Sequence, residues 1–217
     1  MASRCWLDLP PLLRRLRRQC WQTQSGQRIE ARTDATIGGG SPDFSVTLGI
    51  HSVGTTAGTI EVPHNEMTSI TQEVISPFAG RFVLRAKLRG EADSREAYES
   101  ILQKHFTCRL AFLQFNSQKK NALETRPLAT IDVTPEFHSP NETKDLWTTF
   151  ELSKNFISPQ PGSNFSFGSG LAVSIQLVKT SPGSLKLQGL DLRSAFIRIA
   201  EVSLEFVGKE RDPNVKV

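Results

Sequence analysis

The stretch PFAGRFVLRAKLRG, residues 77–90, decides the fold class of this chain. From residue 82 onward, apolar side chains alternate with mostly cationic ones: Phe82, Leu84, Ala86 and Leu88 against Val83, Arg85, Lys87 and Arg89. A two-residue period predicts a β-strand with one face in the core. We expect the cationic face to be solvated; cations on a strand also discourage edge-to-edge aggregation. A nucleic-acid site is not expected, because no aromatic residues are interleaved with the cations.

The same period recurs in short segments bounded by Gly, Pro, Asn and Ser. These are DFSVTLG (43–49), GTIEVP (58–63), the opening stretch, FTCRLAFLQF (106–115), LATIDVT (128–134), LWTTFEL (146–152), GLAVSIQLV (170–178) and AFIRIAEVSLEFVG (195–208). The segment FTCRLAFLQF is apolar on both faces, which indicates a central strand. Such a series of strands and turns predicts an all-β fold, an antiparallel β-sandwich of the jelly-roll type.

Two local departures from this pattern carry predictions of their own. In the last segment, Ile197 and Ile199 share one parity and Val202, Leu204 and Phe206 share the other. One residue must therefore be absorbed near Ala200–Glu201 for both groups to face the core, which predicts a β-bulge there.

The second departure is DSREAYESILQKHF, residues 93–106, which has helical spacing. Asp93 followed by Glu96 at the third position is typical of a helix N-terminus with Asp93 as the N-cap. We therefore expect one short helix inserted between the third and fourth strand segments, covering the sandwich.

Charge and composition divide the chain into three parts. Residues 1–40 hold seven Arg against Asp8, Glu30 and Asp34, whereas residues 41–217 hold 19 basic and 19 acidic side chains. We predict a basic, poorly ordered N-terminal extension at 1–41, a β-sandwich domain at 42–210 and a tail at 211–217. The extension is either a basic arm that touches a membrane or nucleic acid, or a solvated segment; we expect the second. The balanced body does not indicate a general phosphate-binding surface.

Several classes of site have no sequence signal. Three cysteines cannot form a disulfide framework, and Cys108 lies in an apolar run, which predicts a buried, inert thiol. No metal-ligand spacing, cofactor motif or catalytic constellation is recognisable, so we predict no cofactor, no metal site and no enzyme; a structural Ca²⁺ is left open. No stretch approaches the roughly 20 apolar residues of a membrane span, and the N-terminus does not resemble a signal peptide.

Trp147 and Glu151 are the candidate ligand-binding residues. Both have the polar parity of LWTTFEL, opposite Leu146, Phe150 and Leu152. Aromatic rings stack on the C–H-rich faces of sugars, and neighbouring polar groups bind the hydroxyls. Trp147 on a polar face is therefore either a platform for a glycan or a ring covered by a loop.

The segments SPFAGRFVLRAKLRG, RPLATIDVTP, LWTTFELSKNF and IRIAEVSLEFVG together resemble a β-sandwich segment of large planctomycete multidomain proteins that also carry cytochrome-c-type domains. That segment is similar in layout to carbohydrate-binding jelly rolls. The resemblance covers roughly residues 44–208. It implies a cell-envelope or exported setting, although this chain lacks the haem motif and a recognisable signal peptide.

Together these observations predict a non-catalytic accessory module that binds a carbohydrate. The alternative is a structural or protein–protein assembly domain of a larger envelope protein. The partner we expect is accordingly a glycan or another protein, with no nucleic acid and no membrane span; the sequence gives no oligomeric state.

Overall fold

The computed structural model describes residues 14–15, 21–26, 30–34, 45–51, 59–74, 80–116, 126–139, 147–156, 169–188 and 194–208. Within these ranges the chain is mostly β-structure, and the predicted all-β class is confirmed. The strands are β1 Arg14–Arg15, β2 Gln22–Gln24, β3 Glu30–Asp34, β4 Ser45–Ile50, β5 Thr59–Val62, β6 Met67–Val74, β7 Gly80–Ala92, β8 Phe106–Asn116, β9 Arg126–Val133, β10 Phe137–His138, β11 Thr148–Phe156, β12 Ser169–Lys179, β13 Leu185–Gln188 and β14 Ala195–Gly208.

The described strands form two sheets and one ribbon. The seven-stranded sheet has the order β10, β7, β14, β4, β3, with β11 also paired to β7 and β1 to β14. The five-stranded sheet has the order β2, β6, β12, β8, β9, and β5 forms the ribbon with β13. The long pairings are antiparallel, and only the two-residue pairing of β10 with β7 is parallel among those described. The predicted sandwich of jelly-roll type is confirmed.

The apolar positions of the alternating segments meet between the two sheets. Leu84 of β7, Phe112 of β8 and Ile175 of β12 are fully buried in one core cluster. Strand β8 lies between β12 and β9, and Ala111 and Leu113 on its other face are buried as well. The central position predicted for FTCRLAFLQF is therefore confirmed.

The predicted β-bulge is present in β14. The register of β14 against β7 shifts between Ile199 and Glu201. Because Ala200 is absorbed, Ile199 pairs with Leu88 and Glu201 pairs with Lys87, so side chains on both sides of the bulge keep their faces.

The helical insertion is present, but its predicted N-cap is wrong. The N-cap is Ser94, whose Oγ accepts a hydrogen bond from Ala97 N at 3.1 Å. The Asp93 carboxylate instead accepts from Ser194 N at 3.0 Å, which ties the start of the insertion to the start of β14. Helix α1 covers only Arg95–Ala97 and continues as a π-helix at Tyr98–Gln103.

The cations of β7 do not lie on a sheet edge. Strand β7 is an interior strand, since β14 pairs along one side of it and β11 and β10 pair along the other. Its backbone donors and acceptors are therefore used within the sheet. Its cations pair with carboxylates of the neighbouring strands.

Three strands lie in the range predicted as an N-terminal extension. Strand β1 pairs with β14, β2 with β6 and β3 with β4, so these short segments extend both sheets. The domain boundaries stay a prediction, because most of residues 1–41 and all of the tail at 211–217 lie outside the described residues.

Tyr98 fixes the helical insertion to the seven-stranded sheet. Its ring is buried and lies on Gly90 of β7, and its hydroxyl donates to the carbonyl oxygen of Pro135. A Cβ at residue 90 would collide with the Tyr98 ring. Burial raises the pKa of the Tyr98 hydroxyl to about 12, so it stays a neutral donor.

We expect Gly90→Ala to destabilise the fold by about 1–3 kcal/mol, because the added methyl group overpacks the Tyr98 contact. Urea unfolding of native, Gly90→Ala, Tyr98→Ala and the double variant measures the coupling. In the Tyr98→Ala background the methyl group has room, and the cost of Gly90→Ala falls. An equal cost in both backgrounds contradicts this account.

Cys108 is buried, as predicted for it. Desolvation raises the pKa of its thiol to about 12, with the Asp132 carboxylate adding to the rise. A buried thiol of this kind is a poor nucleophile, since the thiolate is the reactive form.

We expect the Cys108 thiol of a Cys5→Ser, Cys20→Ser variant to resist iodoacetamide at pH 8. Between a pKa of 9.0 and one of about 12 the thiolate fraction falls by about a thousandfold. Mass spectrometry of the alkylated protein follows the rate, and the same variant in urea serves as the reactive control. Rapid alkylation of the folded variant contradicts the burial.

Candidate functional site

The cations of β7 are paired across the outer face of the seven-stranded sheet. Arg85 Nε lies 2.8 Å from a Glu151 carboxylate oxygen of β11, and Arg85 Nη1 lies 2.6 Å from one of Glu205 of β14. Lys87 Nζ lies 2.8 Å from Glu201, the residue that the bulge places opposite it. Cations of β7 thus alternate with carboxylates of β11 and β14 in a network of ion pairs. We call this network, which contains Arg85, Lys87, Glu151, Glu201 and Glu205, the surface lattice.

Arg85 is the centre of this lattice. It joins three adjacent strands, and the hydrogen bonds to Glu205 and Glu151 raise the pKa of its guanidinium above the ordinary value. Because these groups are about 40% exposed, solvent screens them, and the pairs orient the side chains more than they stabilise the fold.

Trp147 lies at the end of this face, directly before β11. Its ring is half-buried, and the guanidinium carbon of Arg89 is 4.3 Å from the ring centroid. A guanidinium over an aromatic ring is a favourable cation–π contact. Arg89 therefore covers part of the ring, where the sequence left a choice between an open platform and a ring covered by a loop.

Arg89, Glu91 and Arg198 form what we call the arginine floor. The Nε atoms of Arg89 and Arg198 lie 2.5 Å and 2.7 Å from the same Glu91 oxygen. The three side chains are only 14%, 10% and 11% exposed. A carboxylate held between two guanidinium groups at this depth is fixed far more firmly than the exposed pairs.

A pair of stacked rings lies on the far side of the arginine floor. The ring of Phe196 stacks on the imidazole of His51, with centroids 5.2 Å apart, and the guanidinium carbon of Arg198 is 5.5 Å from the Phe196 centroid. Gly49 lies opposite Phe196 in β4, and a Cβ there would be 2.7 Å from the Phe196 Cβ. Glycine at this position therefore makes room for Phe196.

These contacts build a band of side chains across the strands. Trp147 is at one end, the arginine floor is in the middle, and Phe196 with His51 is at the other end. A row of polar residues, Thr149, Glu151 and Ser153, continues from Trp147 along the exposed face of β11. From Trp147 to Ser153 the row measures about 20 Å at the usual strand rise of about 3.3 Å per residue.

The outer face of the five-stranded sheet is arranged differently. Its centre is closed, since Ala111, Ala172 and Ser174 are fully buried. At its edge, Arg109 makes two hydrogen bonds to Asp132, Nε to Oδ1 at 2.6 Å and Nη2 to Oδ2 at 3.1 Å. The seven-stranded sheet therefore offers the more accessible polar face among the residues described.

Two other kinds of site are absent from the described part of the chain. It contains no group of three or more His, Cys, Asp or Glu side chains placed to hold a metal ion. Nor does any helix within it have the length and apolar character needed to cross a bilayer.

Trp147 and Glu151 lie on one face, as their shared parity predicts, but they contact different partners. Glu151 binds Arg85, and Trp147 contacts Arg89. Ligand binding by either residue stays a prediction. Sequence reasoning missed Glu91, Arg198 and Phe196 as members of the band, because they are brought to Trp147 only by the pairing of β14 with β7.

The chain was compared with known proteins. No protein-family model matches it, and no curated protein matches it. It is similar to a solved structure described as "CBM4 structure and function", with a TM-score of 0.45 and 9% identity over 87% of this chain and 95% of that one.

Two further similarities are of the same kind. The CBM22-2 xylan-binding domain from Paenibacillus barcinonensis Xyn10C gives a TM-score of 0.45 at 11% identity, over 88% of this chain and 94% of that one. TmCBM61 in complex with β-1,4-galactotriose gives 0.37 at 11% identity, over 86% and 88%. At these values the function has to be argued from the site itself.

We expect Glu91→Gln to destabilise the protein by about 3 kcal/mol or more, because it leaves two buried guanidinium groups without the carboxylate between them. The matched control is Glu151→Gln, which removes an exposed pair worth about 0–1 kcal/mol. Guanidinium chloride unfolding measures both variants. Equal losses for the two would show that the arginine floor is no more firmly held than the surface lattice.

Proposed function

We propose that this protein is a non-catalytic module that binds a polysaccharide or oligosaccharide on the outer face of the seven-stranded sheet. Trp147 is the stacking platform, and Glu151 with its neighbours on β11 binds sugar hydroxyls. The observation that carries the proposal is the half-buried Trp147 ring, held by Arg89 at the end of an exposed polar row.

The physical case rests on how a sugar is recognised. A sugar ring presents apolar C–H groups on its faces and hydroxyls around its rim, so it needs a fixed aromatic surface and fixed polar groups beside it. The Arg89 contact orients the Trp147 ring before a ligand arrives, which lowers the ordering cost of binding. Along β11, Glu151 is likewise held by its ion pair with Arg85, and Ser153 accepts a 2.9 Å hydrogen bond from Arg81 Nε.

The row on β11 suits an extended ligand. Its length of about 20 Å along a straight strand corresponds to several consecutive sugar rings. A glycan chain lying along the exposed side of β11 would contact Trp147 at one end and Ser153 at the other. Glu151 lies between them and is 45% exposed, so its carboxylate is reachable.

A structural role in a larger cell-envelope protein is the alternative. Arg89 already covers part of the Trp147 ring, which is also what a purely structural tryptophan would show. The resemblance to a segment of planctomycete cytochrome-associated proteins belongs to this proposal as well, and stays a prediction.

Affinity electrophoresis in gels containing soluble xylan, β-glucan, galactan or mannan tests the proposal. We expect at least one polysaccharide to retard the native protein and Trp147→Ala to abolish most of the retardation. Trp147→Phe, which keeps a smaller ring, should retain part of it, and Glu151→Gln should weaken it.

The control variant is Lys186→Ala, an exposed side chain of β13 outside this face. It should migrate like the native protein in every gel. If no polysaccharide retards the native protein, the glycan-binding function is abandoned in favour of the structural role. If retardation occurs but survives Trp147→Ala, the binding face is elsewhere.

A further inference from the structure

The turn between β12 and β13 is held by an unusual group of side chains. Lys179, the last residue of β12, is fully buried. Its Nζ donates to Ser181 O at 2.7 Å, Ser181 Oγ at 2.9 Å and Gly183 O at 2.7 Å. All three ammonium protons thus have an oxygen acceptor, and the cation closes the turn around itself.

Two histidines from other parts of the chain contact the same serine. His64 Nδ1 lies 2.9 Å from Ser181 O, so its ring donates to that carbonyl oxygen. His105 Nδ1 lies 2.9 Å from Ser181 Oγ. The group comprises His64, His105, Lys179 and Ser181. It joins three elements: the turn before β6, the end of the helical insertion and the turn after β12.

A neutral His105 fits the hydrogen bonds at Ser181. The serine oxygen accepts from Lys179, so its own proton is available for the nearest acceptor. Neutral His105 provides that acceptor at Nδ1, which gives a continuous chain from Lys179 through Ser181 to His105. A protonated His105 would instead direct a second cationic donor at the same oxygen.

We propose that this turn is a pH-sensitive latch, fastened while His105 is neutral and released when His105 takes up a proton. The imidazolium and the Lys179 ammonium would lie at most about 6 Å apart, since both contact one oxygen. Two like charges at that distance and partly out of water repel each other strongly.

The two lysines near His105 act in the same direction. Lys104 precedes it in the chain, Lys179 faces it across Ser181, and His64 lies on the other side of that serine. Glu66, in the turn with His64, has its carboxylate beside Gly26. Burial first, and then Lys104 and Lys179, lower the pKa of His105 below its ordinary value of 6.5.

The direction of the pH effect follows from linkage. A histidine with a lowered pKa binds a proton more readily when the turn is open than when it is closed. The closed turn is therefore fully favoured above pH 6.5 and loses stability as the pH falls below that value. The backbone bonds from Thr180 N and Ser181 N to His105 O, 2.9 Å and 3.3 Å long, report directly on closure.

Amide hydrogen exchange of the full chain, corrected for the intrinsic rate at each pH, tests the latch. We expect the protection of the Thr180 and Ser181 amides to fall by up to about tenfold between pH 7.5 and 5.5, the limit set by an ordinary histidine pKa of 6.5 in the open turn. The amide of Ser174, in the middle of β12, should keep its protection. Unchanged protection of Thr180 and Ser181 over this range overturns the proposal.

Matched variants identify the group that titrates. His105→Asn keeps an acceptor where Nδ1 was but does not titrate, so the turn should stay protected at pH 5.5. His64→Asn keeps the donor to Ser181 O, and its pH response should equal that of the native protein. Ser181→Ala removes the hydroxyl that links Lys179 to His105. The amides of residues 180 and 181 should therefore show low protection already at pH 7.5. A response that is lost in His64→Asn and kept in His105→Asn overturns the assignment to His105.

Discussion

The pairing of β14 with β7 is the constraint on which the rest of the structure depends. These two strands run side by side from Ala195 opposite Ala92 to Gly208 opposite Arg81. Both must place apolar side chains in the core, yet the alternation in β14 changes phase in the middle. The bulge at Ala200 resolves the conflict, and a slip of one residue would turn half of the strand inside out.

The same bulge organises the outer face. It sets Glu201 opposite Lys87 and keeps Glu205 within reach of Arg85, so that cations of one strand meet carboxylates of the next. At the other end of the pair, Glu91 and Arg198 come together below the aromatic rings. The ion pairs of the surface lattice are exposed to solvent and mainly orient their side chains. The side chains of the arginine floor are mostly buried. A rigid, charge-balanced face with aromatic rings at one end is the consequence.

How far the sequence predicts this structure depends on where the decisive contacts lie. The core strands β7, β12 and β14 are predictable because each carries a period-two pattern, and β8 is predictable as a short run that is apolar on both faces. Strand β6 was missed because its core-facing positions include Thr68 and Gln72, both buried, and polar residues there hide the period. The N-cap was misjudged because Asp93 and Ser94 are both good caps, and only the contact with Ser194 assigns them.

The candidate site shows the same limit more sharply. Trp147 and Glu151 could be selected because a polar parity within one segment is visible in the sequence. Their partners could not, since Arg89, Arg85 and the floor reach them through pairings between segments far apart in the chain. Alternation gives the face of a side chain, but register gives its neighbours, and register depends on the whole sheet.

The helical insertion between β7 and β8 contacts two regions, the seven-stranded sheet and the turn after β12. Near its start, Tyr98 is anchored on Gly90 beside the arginine floor, through a hydroxyl that does not titrate near neutral pH. At its end, His105 contacts a turn whose closure depends on a neutral imidazole. Because the Tyr98 hydroxyl keeps its proton when His105 gains one, protonation of His105 leaves the hydrogen bond from Tyr98 to Pro135 O in place. Acidification should therefore act locally, and the outer face of the seven-stranded sheet should keep its geometry while the latch opens.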